Sequence, residues 1–130
     1  MLVAILDDLS CEPSAAARAR IWLRDTLGPH VAAPSDPLEL IEDAVLCVSE
    51  LVTNALNAGC TAMTLTVQVD PDSVRIGLAD DAPGLPQQQR PRPDEAHGRG
   101  LLIVETLARR WGVGIAHPGK ETWALLARTR

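Results

Sequence analysis

Residues 61–69, TAMTLTVQV, and 74–80, VRIGLAD, alternate apolar and polar side chains with only DPDS after the first run. Successive side chains of a strand point to opposite faces, so Met63, Leu65, Val67 and Val69 share one side. Val74, Ile76 and Leu78 do the same. The two runs predict an antiparallel hairpin with one buried face, and that face needs a covering layer. From Leu38 to Ala58, the apolar residues Leu38, Ile41, Val45, Val48, Val52 and Ala55 recur at helical spacing. This is the stripe of a helix facing a core, and Gly59 ends it. A second helix is predicted in PSAAARARIWLRDTLGP, from an N-cap at Ser14 to a stop at Gly28-Pro29.

The remaining segments complete the same architecture. MLVAILDDLS alternates as an edge strand, and VAAPSDP reads as a loop. GRGLLIVETLARRW opens on glycines and predicts a third helix, while GVGIAH and ETWALLAR, joined around PGK, predict a closing hairpin. The expected fold class is α+β: a two-layer sandwich with helices on one face of a mostly antiparallel sheet, as a single domain over residues 1–130. A chain of 130 residues can bury about two-thirds of its unfolded surface in one core.

Composition narrows the function classes. A net charge of −5 and the absence of Phe and Tyr argue against direct nucleic-acid binding, which favours basic faces and stacking platforms. No apolar run approaches the ~18 residues of a membrane span, and the N-terminus is too short and acidic for a signal peptide. A soluble cytoplasmic protein without membrane contact is expected. Cys11, Cys47 and Cys60 show no metal-ligand spacing and are expected to be reduced thiols.

Three stretches carry candidate chemistry. In SELVTNALNAG, Glu50, Asn54 and Asn57 fall with Asp43 and Cys47 within roughly 80° of helical arc, opposite the apolar stripe. No Lys or Arg among them offers a partner. A solvated face is the plain alternative. Carrying the alternation Val74, Ile76, Leu78 onward makes Asp80 the next inward side chain. A carboxylate aimed at a core costs several kcal/mol unless it accepts hydrogen bonds, from an Arg, from the N–H groups of the next turn, or from a ligand's amine. HGRGLL puts Gly98 and Gly100 at a helix start, where free N–H groups and the helix dipole favour anions. The long segment DAPGLPQQQRPRPDEAHG between these sites has four prolines and no hydrophobic period, the character of a loop that is either functional or disordered. An amine acceptor, phosphate donors and a carboxylate–carboxamide pair are complementary. Mg²⁺ takes few protein oxygens beside phosphates, and Glu50 could accept a proton from an attacking hydroxyl.

ELVTNA (50–55), DDAPGLP (80–86), GRGLLIVETLARRWG and GKETWALL resemble, in order, the N box, the D-x-G-x-G box, the second glycine box and the last box of the GHKL ATPase superfamily. That superfamily includes DNA gyrase, the heat-shock chaperone ATPase, histidine kinases and mismatch-repair ATPases. The similarity is strongest to the small bacterial anti-sigma-factor serine/threonine kinases and spans residues 14–127. It implies a Bergerat-type ATP-binding fold with ATP and Mg²⁺ as cofactors. It further implies Glu50 as general base, Asn54 as the Mg²⁺ ligand, Asp80 as acceptor for the adenine amine and Gly84 in the adenine pocket. Gly98, Arg99, Gly100 and Leu101 would donate to phosphates, Thr122 would line the nucleotide site, and residues 85–97 would form a lid. The implied function is a kinase that holds a sigma factor and phosphorylates a serine of an antagonist (anti-anti-sigma) protein, as a homodimer.

Ala82 stands where the family has glycine, Asn57 where the small kinases often have a basic residue or His, and Glu121 where the last box often has Thr, its charge a source of repulsion toward phosphates. These departures bear harder on turnover than on nucleotide binding. Two other readings compete: a non-catalytic nucleotide-sensing interaction module, and a structural partner domain with a degenerate pocket. Trp22 and Ile21 beside Arg18, Arg20 and Arg24 suit a protein interface, or Trp22 simply packs on the sheet.

Overall fold

The computed structural model describes residues 1–82, 96–116 and 119–128, with the backbone alone for 96–100. Five strands form one sheet, β1 (Leu2–Ser10), β2 (Ala62–Val69), β3 (Ser73–Asp80), β4 (Arg110–Ile115) and β5 (Lys120–Ala127). Its order is β1-β2-β3-β5-β4, with every neighbouring pair antiparallel. Among the described residues three α-helices accompany it: α1 (Ala15–Leu27), α2 (Leu40–Asn57) and α3 (Ala96–Leu107). This is the expected α+β sandwich, with β1 at an edge.

The alternation places the core as expected. Met63, Leu65, Val67 and Val69 from β2 and Val74, Ile76 and Leu78 from β3 are buried, joined by Ala124 and Leu126 from β5. They meet Ala15, Ala19, Leu23 and Leu27 of α1, and α2 lays Leu40, Ala44, Val45, Cys47, Val48, Leu51, Val52 and Ala55 on the same core. In β1 the register shifts between Leu6 and Leu9, which pair with Leu65 and Met63. The extra residue at Asp7-Asp8 restores the inward phase, so that Leu9 is buried although it breaks the alternation of Leu2, Ala4 and Leu6.

Several boundaries differ from the sequence reading. Leu38 lies before α2 and is 98% exposed, so the apolar period starts ahead of the helix, which begins at Leu40. Ser14 occupies the N-cap of α1 without a side-chain capping bond, and Gly28 stays right-handed, leading into a 3₁₀ turn at Gly28–His30. Pro29 fits there because the first helical positions need no N–H donor. Helix α3 ends at Leu107, and Trp111 belongs to β4. Pairing of Arg110 with Leu125 starts that strand where the sequence shows neither glycine nor proline.

The cysteines correct the expectation of three reduced thiols. Cys11 and Cys60 are joined in a disulfide with their Cα atoms 6.1 Å apart, and only Cys47 is a free thiol. The pairing follows from the β1–β2 register: Ser10 opposes Ala62, which brings the residue after β1 close to the residues preceding β2. No short-range spacing could reveal a contact across 49 positions. At the far end of the sheet Arg128 clamps the chain, with Nε and Nη2 on the Asp36 carboxylate (2.8 and 2.9 Å) and Nη1 on the Asp70 carbonyl (3.0 Å). Among the described residues no helix is long and apolar enough to cross a membrane.

Candidate functional site

Asp80 ends β3 on the inward face and is only 4% exposed, as the alternation predicts. Among the described residues two donors satisfy it, both on Oδ1: the Ala82 N–H at 2.9 Å and the Lys120 ammonium at 2.8 Å. The backbone N–H of the next turn was among the expected partners. The cation is a lysine on β5, directly opposite in the register, in place of an arginine. Lys120 is itself 2% exposed. Gly119 makes the approach possible: its φ is +93°, and a Cβ there would collide with the Asp80 carbonyl. Ala82 is buried without a positive φ, so the missing glycine at that position costs no backbone strain.

Thr122 is buried on the same inward face, opposite Leu78. Glu121 lies on the other face. It pairs with Arg75 (2.7 Å), whose guanidinium also stacks 5.5 Å from the centroid of Trp123. This corrects the expectation of repulsion toward phosphates: alternation turns the Glu121 carboxylate to the outer side of the sheet, where Arg75 neutralises it. The residue that sequence reading missed is Lys120. Its signal was available, since the inward series Leu126, Ala124, Thr122 continues to Lys120.

On α2, Asp43, Glu50 and Asn54 are half-buried and Asn57 is exposed. Cys47 leaves this group, because it is fully buried in the core. Its thiol is pushed up to about 12 by burial first, then by the negative charges of Asp43 and Glu50. Such a thiol is inert as a nucleophile near neutrality. Desolvation, reinforced by Glu39, also raises the Asp43 carboxyl. Among the described residues no side chain hydrogen-bonds or pairs with Glu50 or with the Asn54 carboxamide, and no group of three or more His, Cys, Asp or Glu gathers for a metal. A carboxylate and a carboxamide one turn apart fit Mg²⁺, which takes hard oxygen donors and needs few of them from protein when phosphates supply others.

Helix α3 starts at Ala96, so the backbone of Gly98 and Arg99 lies in its first turn, where N–H groups lack intrahelical acceptors. Leu101 is half-buried one turn further on. Gly84 and residues 85–95 of the expected lid lie outside the described residues; 96 and 97 begin α3.

The corner beside Asp80 is fixed by its neighbour. Asp81 accepts from the Thr61 hydroxyl, and its Oδ1 takes the N–H groups of Thr61 (2.7 Å) and Ala62 (3.0 Å). The hydroxyl bond, followed by the two N–H bonds, holds the Asp81 carboxyl at about 2. A carboxyl lowered on folding adds stability above its unfolded value near 4, and this is lost as pH falls toward 2. Asp36, lowered by Arg128, acts in the same sense. Acid unfolding of Asp81→Asn should therefore show a shallower loss of stability between about pH 4 and pH 2 than the parent protein. Identical slopes would remove Asp81 from the account.

Comparison with known proteins decides the family. The histidine kinase-like ATPase domain matches residues 9–124. The chain belongs to the histidine kinase-like ATPase family. Within this ATPase domain, 71 residues are 37% identical to the DNA mismatch repair protein MutL of Acidiphilium cryptum (strain JF-5), covering 55% of the chain and 12% of that protein. The fold is shared with the crystal structure of the RsbU and RsbW domains of Rv1364c from Mycobacterium tuberculosis, at a TM-score of 0.71 and 21% identity over 100% of this chain and 33% of that one. The ATPase domain thus spans a minor part of both.

Outside the nucleotide corner, α1 answers the interface question in part. Trp22 is half-buried against the core, while Ile21 remains 63% exposed. Arg20 donates to Ser49 (3.2 Å) and Arg24 pairs with Glu42, so both have intramolecular partners. Trp22 thus packs partly on the core, as the alternative reading has it, while Ile21 stays open to solvent.

Proposed function

We propose that this ATPase domain is an ATP-binding regulator of the anti-sigma-factor serine/threonine kinase type, which holds a sigma factor and phosphorylates a serine of an antagonist protein. The observation that carries this reading is Asp80, a carboxylate buried at the end of β3 with both of its described bonds on one oxygen. Family membership supports ATP as the ligand, and the four ordered boxes and the shared fold support the regulatory kinase type.

In this reading Asp80 accepts the adenine 6-amino group, with Gly84 in the base pocket and Thr122 beside it. The first turn of α3, at Gly98 and Arg99, offers N–H donors to the phosphates, and Gly100 and Leu101 continue the phosphate-facing stretch into the helix. Asn54 holds Mg²⁺ by its carboxamide oxygen, and the ion neutralises phosphate charge when bound. Glu50 takes the proton of the attacking serine hydroxyl as its oxygen bonds to the γ-phosphorus and ADP departs. Nothing in the described site pairs with Glu50 and competes for that proton.

A second reading, a nucleotide-sensing interaction module without transfer, is favoured by one residue. Asn57 is exposed in the last turn of α2, where the small kinases often carry a basic residue or His. Transfer of phosphate to a partner's serine separates the two. A regulator has little use for free turnover, so phosphate release by the purified protein with Mg-ATP should stay far below ~1 s⁻¹ until a protein substrate is added. Sustained release at or above that rate contradicts the regulator and favours an independent ATPase.

A further inference from the structure

The chain has eleven arginines and a single lysine, and that lysine is buried against Asp80. An arginine could have paired with the carboxylate in two parallel bonds and stayed charged under any conditions. A lysine instead supplies a compact point charge with three N–H donors. Asp80 Oδ1 is the only acceptor that Lys120 has among the described residues, at 2.8 Å, with both side chains 3% exposed. A dry ammonium with donors to spare is costly as a purely structural clamp, because an apolar pair of similar volume usually serves at least as well. Asp80 Oδ2 is likewise without a bond among the described residues. On the inward face, beside Thr122, an acceptor and a donor to spare among the described residues therefore lie next to each other.

Resting on the ATP reading, we propose that Lys120 is a specificity-determining residue of the nucleotide site. It donates to the adenine ring nitrogen that flanks the 6-amino group, N1 or N7, while Asp80 accepts from the amine. Adenine presents a donor next to an acceptor on both of these edges, and the Asp80–Lys120 pair presents the complement. Guanine in the same placement turns its carbonyl toward Asp80. On the Watson–Crick edge its N1–H also faces the ammonium, so Lys120 strengthens discrimination that Asp80 begins. Gly119 belongs to the device, because only a residue without Cβ lets the start of β5 lie this close to Asp80.

The test compares ATP with 1-deaza-ATP and 7-deaza-ATP by calorimetry on the intact protein. One of the two analogues should bind about 10- to 100-fold more weakly than ATP, the range for a hydrogen bond to a charged donor. In Lys120→Met that difference should vanish. If burial of an unpaired Asp80 prevents this variant from folding, the neutral pair Asp80→Asn/Lys120→Met takes its place, with the same expectation. Equal affinity of the parent protein for all three nucleotides overturns the role of Lys120 while leaving ATP binding intact. A loss that persists in the Lys120 variants overturns it too. Absence of binding to ATP itself overturns both this assignment and the reading on which it rests.

Discussion

Glu50→Ala is expected to lower phosphoryl transfer to a protein serine by ~10²–10⁴-fold while changing affinity for Mg-ATP only slightly. The reason lies in what surrounds Glu50. It is half-buried on α2 with no described ion pair or hydrogen bond, so its removal strands no partner and opens no core cavity. Its neighbours on the buried side, Leu51 and Val52, keep the helix in place. What is lost is a positioned base. Asn54→Ala should do the opposite, weakening Mg-nucleotide binding with the base intact, because a ligand to the ion acts already in the ground state. Single-turnover transfer measured beside equilibrium binding separates the two effects. Unchanged transfer by Glu50→Ala would place the base elsewhere.

Asp80→Ala should destabilise the fold by ~3–5 kcal/mol and abolish ATP binding. Lys120 is 2% exposed and its described acceptor is this carboxylate, so the substitution leaves a buried ammonium without compensation. The Ala82 N–H loses its acceptor as well. Most of the penalty comes from the stranded charge and not from the net worth of the pair. Asp80→Asn/Lys120→Met should therefore recover most of the stability and bind ATP more weakly but measurably, since a carboxamide oxygen still accepts from the adenine amine. Denaturant unfolding of the single and double variants gives both numbers. A loss below ~1 kcal/mol for Asp80→Ala would mean that water reaches the pair, against the burial on which the site is built.

Much of this was legible in the sequence, for reasons that differ from element to element. The alternations over 61–69 and 74–80 set the buried faces of β2 and β3, because a period of two admits only one inward phase once a core is required. The same logic placed Asp80 inward, and it would have placed Lys120 too. The motif points instead to Glu121 and Thr122, and of these Glu121 faces Arg75 on the opposite side of the sheet. Helical spacing gave α2 but overran its start, since Leu38 keeps the period without joining the helix. It also assigned Cys47 to the polar face, whereas the buried arc of α2 is wide enough to include it. What stayed hidden depended on distant register. The Cys11–Cys60 bond arises from the β1–β2 pairing, and the start of β4 at Arg110 from its pairing with β5. Neither carries a local signal.

An adenine nucleotide site built on Asp80 stands or falls on calorimetric titration of the purified protein with Mg-ATP and Mg-GTP. ATP should bind saturably and less tightly once EDTA is added, and GTP should bind at least ~10-fold more weakly. Guanine offers a carbonyl where the buried carboxylate expects an N–H, and such a mismatch costs a few kcal/mol. Equal binding of the two nucleotides would contradict the base-reading role of Asp80, and no binding of either would contradict the site itself.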